Sequence, residues 1–131
     1  MTIPPTMRAL RQTSSHGPRD LELVHDVPVP RPGPDEVLVR VGAAGLNFAD
    51  LQQARGTFGH GPRPPYQAGI EAAGEVVRAG EGVVAPEPGA HVVGVTIAGG
   101  AFAEYVVLSA GGALPVPAGW TDEQALGLVV N

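Results

Sequence analysis

Ala43-Ala44-Gly45-Leu46-Asn47-Phe48-Ala49-Asp50, followed further on by Gly69-Ile70-Glu71-Ala72-Ala73-Gly74, carries the chain from one kind of local structure into another. Just before it, Val37-Leu38-Val39-Arg40-Val41 is a nearly continuous β-branched run, which suits a strand buried on both faces near the centre of a sheet. From Phe48 the spacing becomes helical, with Phe48, Leu51 and Ala54 on one side and Gly56 as a stop signal, so a helix of about two turns is expected over Phe48 to Arg55. Asn47 stands at the N-cap position, and Asp50 lies three residues in, near the positive end of the helix dipole. Capping alone accounts for both residues. A carboxamide and a carboxylate at the mouth of a cleft can also orient a cofactor or polarise a substrate carbonyl, and the two readings are compatible.

Upstream, Met7 to Gln12 reads as a short strand ending in the turn cluster Thr13-Ser14-Ser15-His16-Gly17-Pro18, with Leu21 to Val27 as its partner. Pro28-Val29-Pro30-Arg31-Pro32-Gly33-Pro34 is too rich in proline for a ladder and reads as an extended surface connection. Downstream, Thr57 to Gln67 is a loop, and Ile70 to Val77 restarts a strand in which Gly74 signals a bulge or tight bend. His91 to Thr96 and Phe102 to Val107 are further strands, the whole reading as a meander with close turns. Thr121 with Gln124 forms a capping-box pattern that opens a helix expected to run through Val130. No internal repeat or linker interrupts residues 1–131, which read as one domain.

Composition agrees with a mostly β fold. Glycine (19) and proline (14) make up about a quarter of the 131 residues, while 44% of the chain is hydrophobic and only 5% aromatic, so many short strands should enclose a core of Val, Leu, Ile and Ala. A chain of this length buries roughly two thirds of its unfolded surface. The formal charge of −5 and the scattered basic residues offer no footprint for nucleic acid or an anionic membrane. No apolar run approaches a membrane span, and Met1-Thr2-Ile3-Pro4-Pro5 lacks the features of a signal peptide, so a cytoplasmic protein is expected. The absence of cysteine excludes disulfides and thiolate metal ligands, and His16, His25, His60 and His91 show no metal-ligand spacing. No metal site is expected.

Six segments, in order, resemble the zinc-independent quinone oxidoreductases and related enoyl reductases of the medium-chain dehydrogenase/reductase superfamily. They are Met7-Arg8-Ala9-Leu10, Glu36-Val37-Leu38-Val39-Arg40-Val41, Ala44 to Asp50, Gly69 to Val76, Pro88-Gly89-Ala90-His91-Val92, and Gly100-Ala101-Phe102-Ala103-Glu104-Tyr105. The resemblance implies a GroES-like domain, a partly open β-barrel with short helices. In zinc-containing relatives the positions of Asn47 and Ile70 carry ligands, and neither residue present here binds zinc. This chain departs from the family at Gln52 and Phe58, where aromatic hydroxyls are usual, at Ala68, where proline is usual, and at Ala90, where aspartate is usual.

The resemblance further implies that NADPH lies between this domain and a following Rossmann domain and delivers hydride to a quinone or enone. On that model Asn47 and Asp50 are the catalytic residues, Asn47 also faces the nicotinamide, Phe58 and Tyr66 shape the substrate wall, and Asn131 begins the interdomain helix and touches the cofactor. No Gly-x-Gly-x-x-Gly fingerprint follows a strand and opens a helix in this sequence, so the phosphate-binding half is expected to lie elsewhere. The chain alone is then expected to bind NADPH weakly, to be inactive without a Rossmann domain, and to self-associate or depend on a partner through apolar surface. A non-catalytic module for a small ligand or a protein partner is the alternative. A co-chaperonin is disfavoured because no long loop carries an apolar anchor.

Overall fold

The computed structural model describes residues 2–130. Its strands form two sheets that are not closed into a barrel. In the first, β1 (Thr6–Gln12) lies between β2 (Leu21–Pro28) and the two-residue β4 (Tyr66–Gln67), all antiparallel. In the second the order is β7-β3-β5-β6-β8, from β3 (Glu36–Gly45), β5 (Glu71–Ala79), β6 (His91–Val95), β7 (Tyr105–Ser109) and β8 (Leu114–Pro115). The expected meander is therefore only partial: β1-β2 and β5-β6 are neighbours in sequence, but β3 pairs with β5 and β7 across long stretches of chain. The mostly β, GroES-like expectation stands; Pro28, expected in the proline-rich connection, instead ends β2 opposite Thr6, and the irregular connection runs over Val29 to Pro34.

β3 organises the molecule because its successive side chains face opposite ways and both sides are covered. Val37, Leu38 and Val39 are all fully buried. Val37 and Val39 join Ala72, Val76, Val92, Val106 and Leu108 in one core, whereas Leu38 packs with Met7, Ala9, Val27 and Tyr105 and so fastens the two sheets together. Small aliphatic side chains dominate, as the composition implies.

Gly74 sits opposite Val41, where the β3-β5 register shifts between Val41 and Ala43. A side chain there would strike the Arg40 carbonyl oxygen. The glycine thus permits the bulge by letting the β3 backbone approach.

The C-terminal helix is shorter than its capping pattern suggests. α2 spans Asp122–Ala125 and gives way to a 3-10 turn over Leu126–Leu128, where Gly127 withdraws helical propensity. The box itself forms: Thr121 Oγ1 accepts from the Gln124 N–H at 3.1 Å, and Gln124 Oε1 accepts from the Thr121 N–H at 2.9 Å. Ala125, fully buried, packs on Ala73 and Val93, while Asp122 meets His91 Nδ1 at 3.0 Å. Thr121→Ala is expected to cost about 1 kcal/mol, read as a lower urea midpoint with faster amide exchange confined to Gln124 and Ala125. No helix among the described residues is long and apolar enough to cross a membrane.

Candidate functional site

Where β3 ends, Gly45 pairs with Glu71, the first residue of β5, and the chain turns through Leu46 and the extended Asn47 into α1 (Phe48–Ala54). Asn47 and Asp50 form the expected capping box, in which Asp50 Oδ2 accepts from the Asn47 N–H at 2.7 Å. The Asn47 carboxamide is drawn inward, its Nδ2 donating to Glu71 Oε1 at 3.0 Å. Glu71 is wholly buried, and Gly45 makes room for it: a side chain at Gly45 would collide with the Glu71 carboxylate. Capping and buried anchoring therefore hold the mouth of the site together.

Asn47, Asp50 and Tyr66 border one cavity of about 420 Å³, together with Gln12, Gln53 and an apolar wall that includes Leu46, Phe48, Leu51 and Phe102. Asp50 Oδ1, Gln12 Oε1 and Gln53 Nε2 are buried without a hydrogen-bond partner, as is Glu71 Oε2 behind them. Burial pushes the Asp50 carboxyl above its ordinary range, partly offset by the Asn47 N–H. Burial, and then the nearby Asp50 charge, push the Tyr66 phenol up as well, so Tyr66 keeps its proton at neutral pH. Leu46 and Phe48 are strongly exposed at the rim, at 79% and 71%. A large apolar rim on a cavity with polar groups inside has the character of a binding site.

Phe58 is placed elsewhere. It lines an adjoining cleft with Gly59, Gly61 and Arg63, and Gln53 borders both spaces. Tyr66 also faces a larger cleft of about 660 Å³ whose lining includes Met7, Val27 and Tyr105. Asn131 lies outside the described residues. Gln12 and Gln53 carry no motif of their own, and Glu71 stands in the sequence only as one residue of the Gly69 to Val76 segment. Gly45 lies opposite Glu71 across β3 and β5, a pairing set by the sheet register and carried by no local stretch of sequence. Among the described residues no group of three His, Asp or Glu side chains could hold a metal ion. His60 is exposed.

The sign of the Asp50 shift gives a pH prediction. An acid whose folded pKa lies above its unfolded value contributes stability that is full below the unfolded pKa and is lost as pH rises through the folded one. Asp50→Asn keeps an oxygen acceptor for the Asn47 N–H and removes the titration. Urea midpoints are expected to show the native chain losing ground to Asp50→Asn between acid and neutral pH; a constant difference would contradict the burial argument.

The fold is thus a small open β structure of two sheets, with a short capped helix over a mixed polar and apolar cavity. The chain belongs to the family described as the alcohol dehydrogenase GroES-like domain, whose model matches residues 33–118. It is 39% identical over 101 residues to a quinone oxidoreductase of Lama guanicoe, covering 77% of this chain and 31% of that protein. Among solved structures, a probable oxidoreductase from Mycobacterium abscessus superposes with a TM-score of 0.89 at 36% identity, covering 98% of this chain and 40% of that one. Mycobacterial Rv1454c, solved as a complex with NADPH, gives a TM-score of 0.82 at 33% identity, covering 95% of this chain and 38% of that one. The chain thus spans about a third of the length of the curated relative and about two fifths of the solved ones.

Proposed function

We propose that residues 1–131 act as the substrate-side domain of an NADPH-dependent, zinc-independent reductase of quinones or enones, in the cytoplasm. The observation that carries this reading is the convergence of Asn47, Asp50 and Tyr66 on one cavity with an apolar rim, in a chain of this family. The residues present suit the nicotinamide end of the cofactor: an unpartnered buried Asp50 oxygen and an adjacent apolar wall can face a flat, partly polar ring. No Gly-rich phosphate cradle stands in the sequence, so the dinucleotide's phosphates require a Rossmann domain or another partner.

When bound, NADPH supplies the hydride. The chain supplies orientation and exclusion of water. Tyr66 holds its proton and can donate a hydrogen bond to the substrate carbonyl oxygen as negative charge grows there. Asn47, locked by Glu71 and by its cap, keeps the helix mouth at a fixed position. Phe48 and Leu46 form an apolar rim that a second domain or a second copy can cover.

The test mixes the purified chain with a separately expressed Rossmann domain of a relative and follows NADPH consumption with 1,4-naphthoquinone. Turnover in the mixture alone is expected. The absence of turnover in every combination overturns the reading. A non-catalytic module is the second reading, favoured by one observation: the capping box and the Glu71 contact already occupy polar atoms of Asn47 and Asp50.

A further inference from the structure

The cavity below Leu46 and Phe48 has polar groups that carbonyl reduction does not need. Gln12, the last residue of β1, is 1% exposed, and its Nε2 donates to the Ser14 oxygen at 3.0 Å and to the Gly17 oxygen at 2.7 Å. Two carbonyl oxygens can be met only by the NH₂ side of the amide, so the orientation of Gln12 is fixed and both its hydrogens are used. Its Oε1 is left buried with no partner. Gln53, 3% exposed on α1, leaves a buried Nε2 with no partner and borders the same cavity.

An acceptor and a donor, both buried and both unmet, are costly unless further groups answer them. A hydroxyl has the chemistry for both, since it can donate to Gln12 Oε1 and accept from Gln53 Nε2. A ketone or an ether oxygen only accepts and leaves Gln12 unmet. The neighbouring wall, from Leu21, Leu51, Ala54 and Phe102, suits an apolar body, and about 420 Å³ admits a small ring compound.

We propose that this cavity is a binding site for a small apolar molecule bearing a hydroxyl group, with Gln12 and Gln53 as the residues that select the hydroxyl. Resting on the reductase reading, the substrate this cavity prefers is a hydroxyl-bearing quinone or enone, with an unsubstituted one bound and turned over less well. Sites built to hydrogen-bond a hydroxyl reject analogues lacking it far more strongly than apolar pockets reject a missing methylene.

The isotopically labelled full chain, titrated with 4-ethylphenol, 4-ethylanisole and ethylbenzene and followed by NMR, tests this without any turnover, so its result stands apart from failure of the reductase reading. The phenol is expected to bind at least about tenfold more tightly than the ether, with shifts at the Gln12 and Gln53 side-chain amides. Gln12→Leu and Gln53→Leu should each erase that preference while ethylbenzene still binds. Should a leucine variant fail to fold, Gln12→Met and Gln53→Met serve, and the phenol-to-ether ratio on the native chain decides by itself. Equal affinity for phenol and ether overturns the proposal, as it would if a buried water alone satisfied both amides. A preference that survives in folded variants overturns it equally.

Discussion

Gly74→Ala is expected to lower the stability of this chain by about 3 kcal/mol or more, seen as a large drop in urea midpoint with little change in slope. The new methyl group would fall on the Arg40 carbonyl oxygen and lie 3.0 Å from the Gly42 nitrogen, both of them backbone atoms of β3. A flexible side chain could swing aside, but a strand paired on both edges cannot. β3 is held by β5 on one edge and β7 on the other, so moving its backbone disturbs two ladders together. Gly111→Ala is the control. Nothing lies within 4 Å of a side chain there, and the change should stay within about 0.5 kcal/mol. If the two variants behave alike, the close approach at the β3 bulge is not what Gly74 is for.

Leu38→Ala is the second large effect, expected at about 3 kcal/mol within the usual range for such truncations. Leu38 is fully buried, and its partners Met7, Ala9 and Val27 belong to the three-stranded sheet while Tyr105 belongs to the five-stranded one. Truncation therefore leaves a void at the seam between the sheets, where neither sheet can collapse without losing its own register. Hydrogen exchange should speed up in β1 and β2 before it does in β5. Leu23→Ala, at a position 57% exposed, should cost little by comparison. Uniform acceleration of exchange across both sheets would argue against a seam and for a single cooperative core.

Much of this architecture is visible in local pattern. The β-branched run at Val37–Val41 announces a strand covered on both faces, Gly74 announces a close approach, and Asn47 with Asp50 announces a cap; each is a short-range signal with a mechanism. What escapes is set by pairing across the chain. Glu71 reaches Asn47 only because the β3-β5 register lays Glu71 beside Gly45, and no window of sequence contains that register. Gln12 closes the strand end it occupies by bonding the Ser14 and Gly17 carbonyls, a loop shape that composition alone does not fix. Phe58 follows a positive-φ glycine at Gly56 and precedes another at Gly59, and the resulting loop carries it to the adjoining cleft. The C-terminal helix was open to overextension because its cap is strong and its interruption by Gly127 is weak as a signal.

The site is therefore legible as a location more than as chemistry. The cap residues mark where the cavity opens, but the atoms left unmet inside it belong to Gln12, Gln53 and the inner oxygen of Asp50. Those atoms become visible only when β1, α1 and β4 are assembled around one space.

Direct titration of the labelled chain with 1,4-naphthoquinone, read residue by residue by NMR, tests the central claim that this cavity receives a carbonyl substrate. The sequence contains no cysteine and no lysine, so the quinone meets no side-chain thiol or amine to arylate. Saturable shifts gathered at Asn47, Asp50, Gln53 and Tyr66, weakened by Tyr66→Phe, are the predicted result; shifts gathered instead around Val27, Thr96 and Val107 in the larger cleft, or none at all, would contradict it.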